Sequence, residues 1–224
     1  MSDNPFIRTE MLFGTEAFRR LARARVTIAG LGAVGSYAAE GLARCGVGGL
    51  TLIDCDTVQI SNINRQLYAL HSTLGRRKTD VAAERVADIH PACDVRPLDL
   101  FLNGETVSQA LEPRPDVLID AIDSLHSKVQ LLAEASRHGL RIISVMGAAN
   151  RTDPSRLRVA DLADTHHCPL ARFVRKRLGR LGIRAGIECV YSIEPRRAGR
   201  TDVPVPDGEM RTVRGERRAP LPSF

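Results

Sequence analysis

Five short runs rich in apolar and β-branched residues are spaced along the first two thirds of the chain, and they predict strands near 25–30, 50–54, 94–98, 116–120 and 141–145. The stretches between them are helix-forming, near 33–45, 79–89, 104–111 and 124–138, and an N-terminal arm with a helix over 15–23 precedes the first strand. Alternation of strand and helix implies an α/β fold, a Rossmann-like, doubly wound, mainly parallel sheet with helices on both faces. Beyond Gly147 the pattern changes: RLRVADL reads as a further strand, PLARFVRKRLGRLG as a basic amphipathic helix and ECVYSIE as another strand. Pro, Gly and Arg dominate afterwards, so the domain is expected to span 1–195, with 196–224 a short C-terminal extension of loop or mobile tail.

Chemistry-bearing residues fall where these strands end. GLGAVG, Gly30 to Gly35, stands between the strand RVTIAG and a helix-forming stretch, where backbone N–H groups and a helix N-terminus can meet phosphate or ribose. Asp54 ends the next strand at the distance expected of a carboxylate that hydrogen-bonds a ribose hydroxyl. Taken alone these residues are an NAD fingerprint, or a Gly-rich turn with no ligand. A hydride-transfer site, however, wants an apolar nicotinamide slot and a proton donor. Here Asp56, then Asn62, Asn64, Arg65 and Gln66, then Lys78, and finally Asp120 and Asp123 cluster at strand ends instead. Arg65 and Lys78 suit the charge that builds on a triphosphate attacked at its α-phosphorus, and Asp123 suits Mg²⁺. Each also admits a plain role: Arg65 in a surface salt bridge, Lys78 as a solvated residue at a helix start, Asp123 as a helix N-cap.

Composition narrows the classes. Charged residues interrupt every apolar run well short of about 18 residues, so no membrane span is expected. The start MSDNPFIRTEM lacks a basic-then-apolar signal, so the expected location is cytoplasmic. The five cysteines, Cys45, Cys55, Cys93, Cys168 and Cys189, form no CxxC pair, which argues against a disulfide scaffold and a four-cysteine zinc site. Net charge is +6, but residues 151–224 hold 16 basic against 9 acidic side chains while 1–150 are near neutral. A C-terminal excess of that kind fits a polyanionic partner such as RNA, or a solvated basic face.

GLGAVG with Asp54, NRQ at Asn64 to Gln66, Lys78 and DAID together resemble the ubiquitin-activating-enzyme superfamily, whose members transfer AMP from ATP to a carboxylate. RTEMLFG, SNINRQLYAL, DAIDSLHSK, DLADTHHCPLARFVRKRL and CVYSIEP are similar, within it, to the tRNA threonylcarbamoyladenosine dehydratases, over roughly residues 8–195. The resemblance implies that ATP activates the carboxylate of threonylcarbamoyladenosine beside the anticodon of tRNA as an acyl-adenylate. A urea nitrogen of the same group then closes on the activated carbonyl, with loss of one water overall. It further implies that Gly30, Gly32 and Gly35 line the nucleotide, Asp54 takes the ribose, Asn62, Arg65, Gln66 and Lys78 face the phosphates, and Asp123 holds Mg²⁺. Arg8 matches an arginine that relatives reach across a homodimer to the neighbouring ATP, although it reads equally as a charge on a disordered arm. A sulfur-relay protein is a further partner that the resemblance leaves room for.

On the basic helix, Arg172, Lys176 and Arg180 are expected on one face with Arg175 and Arg177 nearby, all contacting the tRNA backbone, and Leu170, Val174, Leu178 and Leu181 on the buried stripe. His166, His167 and Cys168 are adjacent, and adjacent side chains rarely converge on one metal. Cys189 reads as a buried structural thiol within an apolar run. Family chains continue past the RRAPLPSF-like segment into a further strand and helix, so the tail reads as leaving a sheet edge or groove uncovered, in a shortened variant, under a partner subunit or in a less stable fold, which leaves activity rather than fold open. The competing functions are adenylation of a ubiquitin-like sulfur carrier, which usually comes with CxxC pairs, and an inactive nucleotide-binding paralogue. A hydride-transferring dehydrogenase ranks below both.

Overall fold

Alternation of apolar side chains along the strands splits the interior in two. The computed structural model describes residues 4–195 and the backbone of 211–213 and 216–218. The strands are β1 (Arg25–Ala29), β2 (Gly49–Asp54), β3 (Asp94–Asp99), β4 (Val117–Asp120), β5 (Arg141–Val145), β6 (Leu157–Asp161) and β7 (Glu188–Ser192). On β1, β2 and β4, Ala29, Ile53 and Leu118 join one core cluster, whereas Val26, Ile28, Leu50 and Leu52 join the other, with Val117 and Ile119 packed against it. A period of two does this, because successive side chains leave a strand on opposite faces.

Helices cover both faces. Ala39 and Ala43 of α3 (Gly35–Cys45) and Val81, Ala82 and Val86 of α4 (Lys78–Ile89) pack into the second cluster. Leu131, Leu132 and Ala135 of α5 (Leu125–Arg137) and Ala171, Val174 and Leu178 of α6 (Pro169–Gly179) pack into the first. Residues 4–24 hold two further helices, α1 (Ile7–Phe13) and α2 (Thr15–Leu21).

Among the described residues the seven strands form one sheet in the order β3-β2-β1-β4-β5-β7-β6, parallel throughout except that β6 runs antiparallel to β7. The chain leaves β1 toward β2 and β3, then returns to the opposite side of β1 as β4. Loops after β1 and β4 therefore part company, which opens a crevice at the C-terminal edge of the sheet.

The expected strands are all present, and the segments after Gly147 form β6, α6 and β7 as read. Three details differ. The N-terminal arm is largely helical as α1. Residues expected as a helix over 104–111 shorten to a 3₁₀ turn, Val107–Leu111. There Asn103 Oδ1 accepts from the Glu105 and Thr106 amides, and Pro113 follows two residues beyond the turn, leaving too little length for an α-helix. The turn after β1 delays α3 to Gly35 rather than Ala33. The tail expected at 196–224 lies outside the described residues apart from β8 (Arg211–Val213) and β9 (Glu216–Arg218), which pair antiparallel. No helix among the described residues is long and apolar enough to cross a membrane.

Two glycines make the crevice possible. Gly30 has φ +89°, and a Cβ there would lie 2.8 Å from the Ala121 carbonyl oxygen. At Gly35 a Cβ would lie 1.7 Å from the Gly30 carbonyl oxygen, so α3 can begin this close to β1 only without a side chain. Gly35→Ala should cost about 3 kcal/mol in urea unfolding. Gly41→Ala, where nothing lies within 4 Å of the added methyl, should gain up to about 1 kcal/mol in the same assay.

Candidate nucleotide and substrate site

The turn after β1 is tied down by the next strand. Asp54 Oδ2 accepts from the Leu31 amide at 2.7 Å, and Oδ1 accepts from the Asp56 amide at 2.9 Å. Ser36 Oγ donates to the Gly32 carbonyl at 2.7 Å and accepts from the Leu67 amide at 3.2 Å, which fastens the glycine turn to the segment carrying Asn64, Arg65 and Gln66. The start of α3 has no side-chain cap and no acidic residue in its first turn, so no side chain competes with an anion there, although the Ser36 amide already turns back to the Gly32 carbonyl at 3.2 Å.

Lys78 opens α4 and is buried, contrary to the solvated role it could have had. Its Nζ lies 2.9 Å from Asp56 Oδ2 and 3.8 Å from Asp54 Oδ1. Burial pushes the Asp54 carboxyl above the usual carboxylate range, and Lys78 opposes that rise. Asp54, Cys55 and Asp56 bring their ligand atoms within 4.8 Å of one another, yet the Lys78 ammonium already answers this charge, so the cluster is no ready metal site. Cys55 is exposed; partial burial and the two neighbouring carboxylates push its thiol up.

Arg65 makes no salt bridge among the described residues; its Nη1 donates to the Ser61 carbonyl at 2.7 Å and to Asn64 Oδ1 at 3.0 Å. Asn64 therefore helps to hold Arg65 in place. Asn62 spends Oδ1 on the Gln59 amide at 3.1 Å, which leaves its Nδ2 amide available. Gln66 is buried, and a Cβ built on Gly32 would lie 3.9 Å from its Nε2, so this amide borders the glycine turn.

Across the crevice, Asp123 is exposed on the loop after β4, and Ser124 rather than Asp123 occupies the N-cap position of α5. That answers the plain reading of Asp123 as a cap. One exposed carboxylate suits Mg²⁺, which usually takes one or two carboxylates and completes its shell with water and phosphate. The open helix start, the glycine cradle and the nearby Arg65, Gln66 and Lys78 likewise suit a triphosphate.

Two buried cations, Lys128 and Arg151, were not singled out in the sequence, and the first of them pairs with Asp120. Lys128 and Asp120 have no solvent exposure, and Lys128 Nζ lies 2.6 Å from Asp120 Oδ2. Ser144 Oγ donates to the same oxygen at 2.6 Å, Lys128 also donates to the Val145 carbonyl at 3.0 Å, and Asp120 Oδ1 accepts from the Ile122 amide at 3.2 Å. The ends of β4 and β5 and the turn toward Asp123 are joined through this one pair. Lys128 lies three and four residues before Leu131 and Leu132 on the buried stripe of α5, and that spacing is the signal that would have exposed it. Arg151, also buried, donates to the carbonyls of Gly147, His167 and Glu194, at 2.7, 2.8 and 3.0 Å. It thereby fastens the start of α6 to the loop leaving β5.

The basic helix needs two corrections. Arg175 turns inward: Nη1 donates to Thr165 Oγ1 at 2.6 Å and to the carbonyls of Thr165 and Leu162, so it braces the loop before α6 and does not share the exposed face expected of it. Leu181, expected in the buried stripe, is exposed because α6 ends at Gly179, and Leu170 is only half-buried. Arg172, Lys176, Arg177 and Arg180 are exposed and make no ion pair among the described residues. Arg8 is exposed on α1, beside exposed Ile7, Met11 and Leu12. His166 is engaged by the Tyr191 hydroxyl at 3.2 Å, Cys168 is buried at the N-cap of α6, and neither joins a metal-binding group among the described residues. Cys189 is buried in β7 and its thiol is pushed up to about 12 by burial, as befits a structural residue.

The sequence pattern of the ThiF family matches residues 7–198. A Bacillus subtilis protein, tRNA threonylcarbamoyladenosine dehydratase, is 43% identical over 198 residues, covering 88% of this chain and 78% of the relative. The solved structure of Escherichia coli tRNA N6-threonylcarbamoyladenosine dehydratase in complex with ATP is similar with a TM-score of 0.83 and 39% identity, covering 86% of this chain and 82% of that one. Its complex with AMP gives a TM-score of 0.85 at 38% identity, covering 88% and 83%.

Lys128→Met leaves the Asp120 carboxylate buried without a cation and should cost about 3–5 kcal/mol in denaturant unfolding. Adding Asp120→Asn should recover part of that loss; a double variant no more stable than Lys128→Met would mean the pair's charge is not what holds this corner.

Proposed function

This chain belongs to the ThiF family, and we propose that it dehydrates threonylcarbamoyladenosine in tRNA at the expense of ATP. The observation that carries this reading is a juxtaposition: a glycine-lined crevice, with Lys78 set between Asp54 and Asp56, lies at the sheet edge where α6 begins, and the exposed cations of α6 make no ion pair among the described residues.

In the first step the carboxylate of the modified adenosine attacks the α-phosphorus of ATP. A carboxylate oxygen joins phosphorus, pyrophosphate leaves, and a poor leaving group becomes an acyl-adenylate. The urea nitrogen then attacks the acyl carbon, AMP departs with the bond electrons, and the nitrogen's proton goes to solvent. The ring that results is one water lighter. Gly30, Gly32 and Gly35 would let the backbone approach the nucleotide, Asp54 would accept from the ribose, and Asn62, Arg65, Gln66 and Lys78 would face the phosphates. Asp56 keeps Lys78 in place until phosphate competes for it. Asp123 would hold Mg²⁺, which neutralises phosphate charge when bound.

Exposed Arg172, Lys176, Arg177 and Arg180 would contact the tRNA backbone, with Arg175 acting through the loop it braces. A sulfur-carrier protein would use the same ATP residues but would leave this face unexplained. The test is pyrophosphate release from ATP with and without tRNA carrying threonylcarbamoyladenosine, followed by mass analysis of the digested nucleosides. Release should require the modified tRNA and give a nucleoside lighter by one water, and Arg65→Ala or Lys78→Ala should each slow it about 100-fold or more. Release with a sulfur carrier instead would move the assignment.

A homodimer belongs to the same proposal. Ile7, Met11, Leu12 and Phe13 expose apolar surface on α1, and a second copy covering it would bring Arg8 to the neighbouring nucleotide. Arg8→Ala and Lys78→Ala proteins should each be inactive, whereas subunits exchanged between them should regain turnover at one intact site. A mixture as silent as its parents would remove Arg8 from the partner's site.

A further inference from the structure

Phe173 interrupts an otherwise cationic surface. The residue is 46% exposed, while Ala171, Val174 and Leu178 on the other side of α6 are buried. Arg172 precedes it, with the guanidinium carbon 5.2 Å from the ring centroid, and Lys176 and Arg177 follow at three and four residues, the spacing of neighbours on a helix surface. Among the described residues Phe173 belongs to neither core cluster, and the surrounding cations favour an anionic partner. Helix α6 begins at the substrate edge of the sheet: Arg151 ties it to the loop after β5, and Leu170 lies 3.7 Å from the position a Cβ would take on Gly147.

A polyanion that also offers flat apolar faces fits this surface, and single-stranded nucleotides have both. Unpaired bases are held on proteins by stacking on aromatic rings or guanidinium planes while cations track the phosphates. We propose that Phe173, with Arg172 beside it, is a stacking platform for an unpaired base of the tRNA anticodon loop other than the reacting adenosine. The inference rests on the tRNA reading above and adds a contact that reads the loop as single-stranded.

The experiment uses the full chain and an anticodon stem-loop RNA bearing threonylcarbamoyladenosine, with 2-aminopurine placed at each other loop position in turn. Binding should quench one position in the wild type and not in Phe173→Ala, whose affinity should fall about 5- to 150-fold. Phe173→Tyr should bind like wild type and Phe173→Leu like Phe173→Ala, since leucine keeps apolar area without a π face. The salt dependence should be unchanged in Phe173→Ala but shallower by about one counterion in Lys176→Ala. Melting temperature should stay at the wild-type value, because the ring is exposed. Wild-type affinity in Phe173→Ala or Phe173→Leu, with dehydration intact, would overturn the stacking role alone. A melting temperature that falls in step with affinity would overturn it too, by showing that the ring packs against protein. Absence of dehydration by the wild type would remove the parent reading and this one with it.

Discussion

A lysine and an aspartate without any contact with water hold the working corner of this protein together. Charges so placed are tolerable only when each meets an opposite charge and its remaining hydrogen-bonding capacity is used. Asp120 meets Lys128, Ser144 and the Ile122 amide, and Lys128 also reaches the Val145 carbonyl. Because these groups come from β4, the following turn, α5 and β5, satisfying one pair fixes where two strands end and where α5 begins. The loop carrying Asp123 leaves from this corner, and so does the loop at Gly147 to which Arg151 binds α6. A nucleotide crevice and a cationic helix thus share a common foundation.

The crevice has a second constraint, which acts through the absence of side chains. Close approach at Gly35 brings the start of α3 to the end of β1, and Asp54 then seizes the Leu31 amide. Asp54 is thereby both a strut for the turn and, in the proposed chemistry, a ribose acceptor. Its carboxyl is raised by burial but kept useful by Lys78, which also lies against Asp56. Strut and site are one set of atoms, so substitutions here are read in stability and catalysis together.

Much of this was legible in the sequence because it depends on local pattern. β-branched runs marked β1, β2, β4 and β5; Gly30 to Gly35, Asp54 and Lys78 stood at the strand and helix ends that gather them into one crevice. What escaped depends on contacts between distant segments. Lys128 looked like any helical lysine until its spacing to Leu131 and Leu132 was set against a buried face. Arg175 carries the same charge as Arg177 and sits two residues away, yet only the loop at Leu162–Thr165 reveals that one faces inward. Helix α1 was hidden because its apolar residues, Met11 to Phe13, have no core beneath them to impose a stripe.

Helix α6 has a consequence for its own folding. Arg172, Lys176 and Arg180 repeat one sign of charge at successive four-residue steps with no intervening acid, and each such pair opposes the helix by about 0.2–0.5 kcal/mol. Arg172, near the helix start, also faces the positive end of the helix dipole. The element is held by what lies beneath it, Val174 and Leu178 in the core and Arg151 at its start, against a surface that repels itself. Dissolved ions screen that repulsion and equally screen attraction to a polyanion. Ionic strength therefore pulls this helix two ways, easing its fold while loosening the proposed hold on RNA.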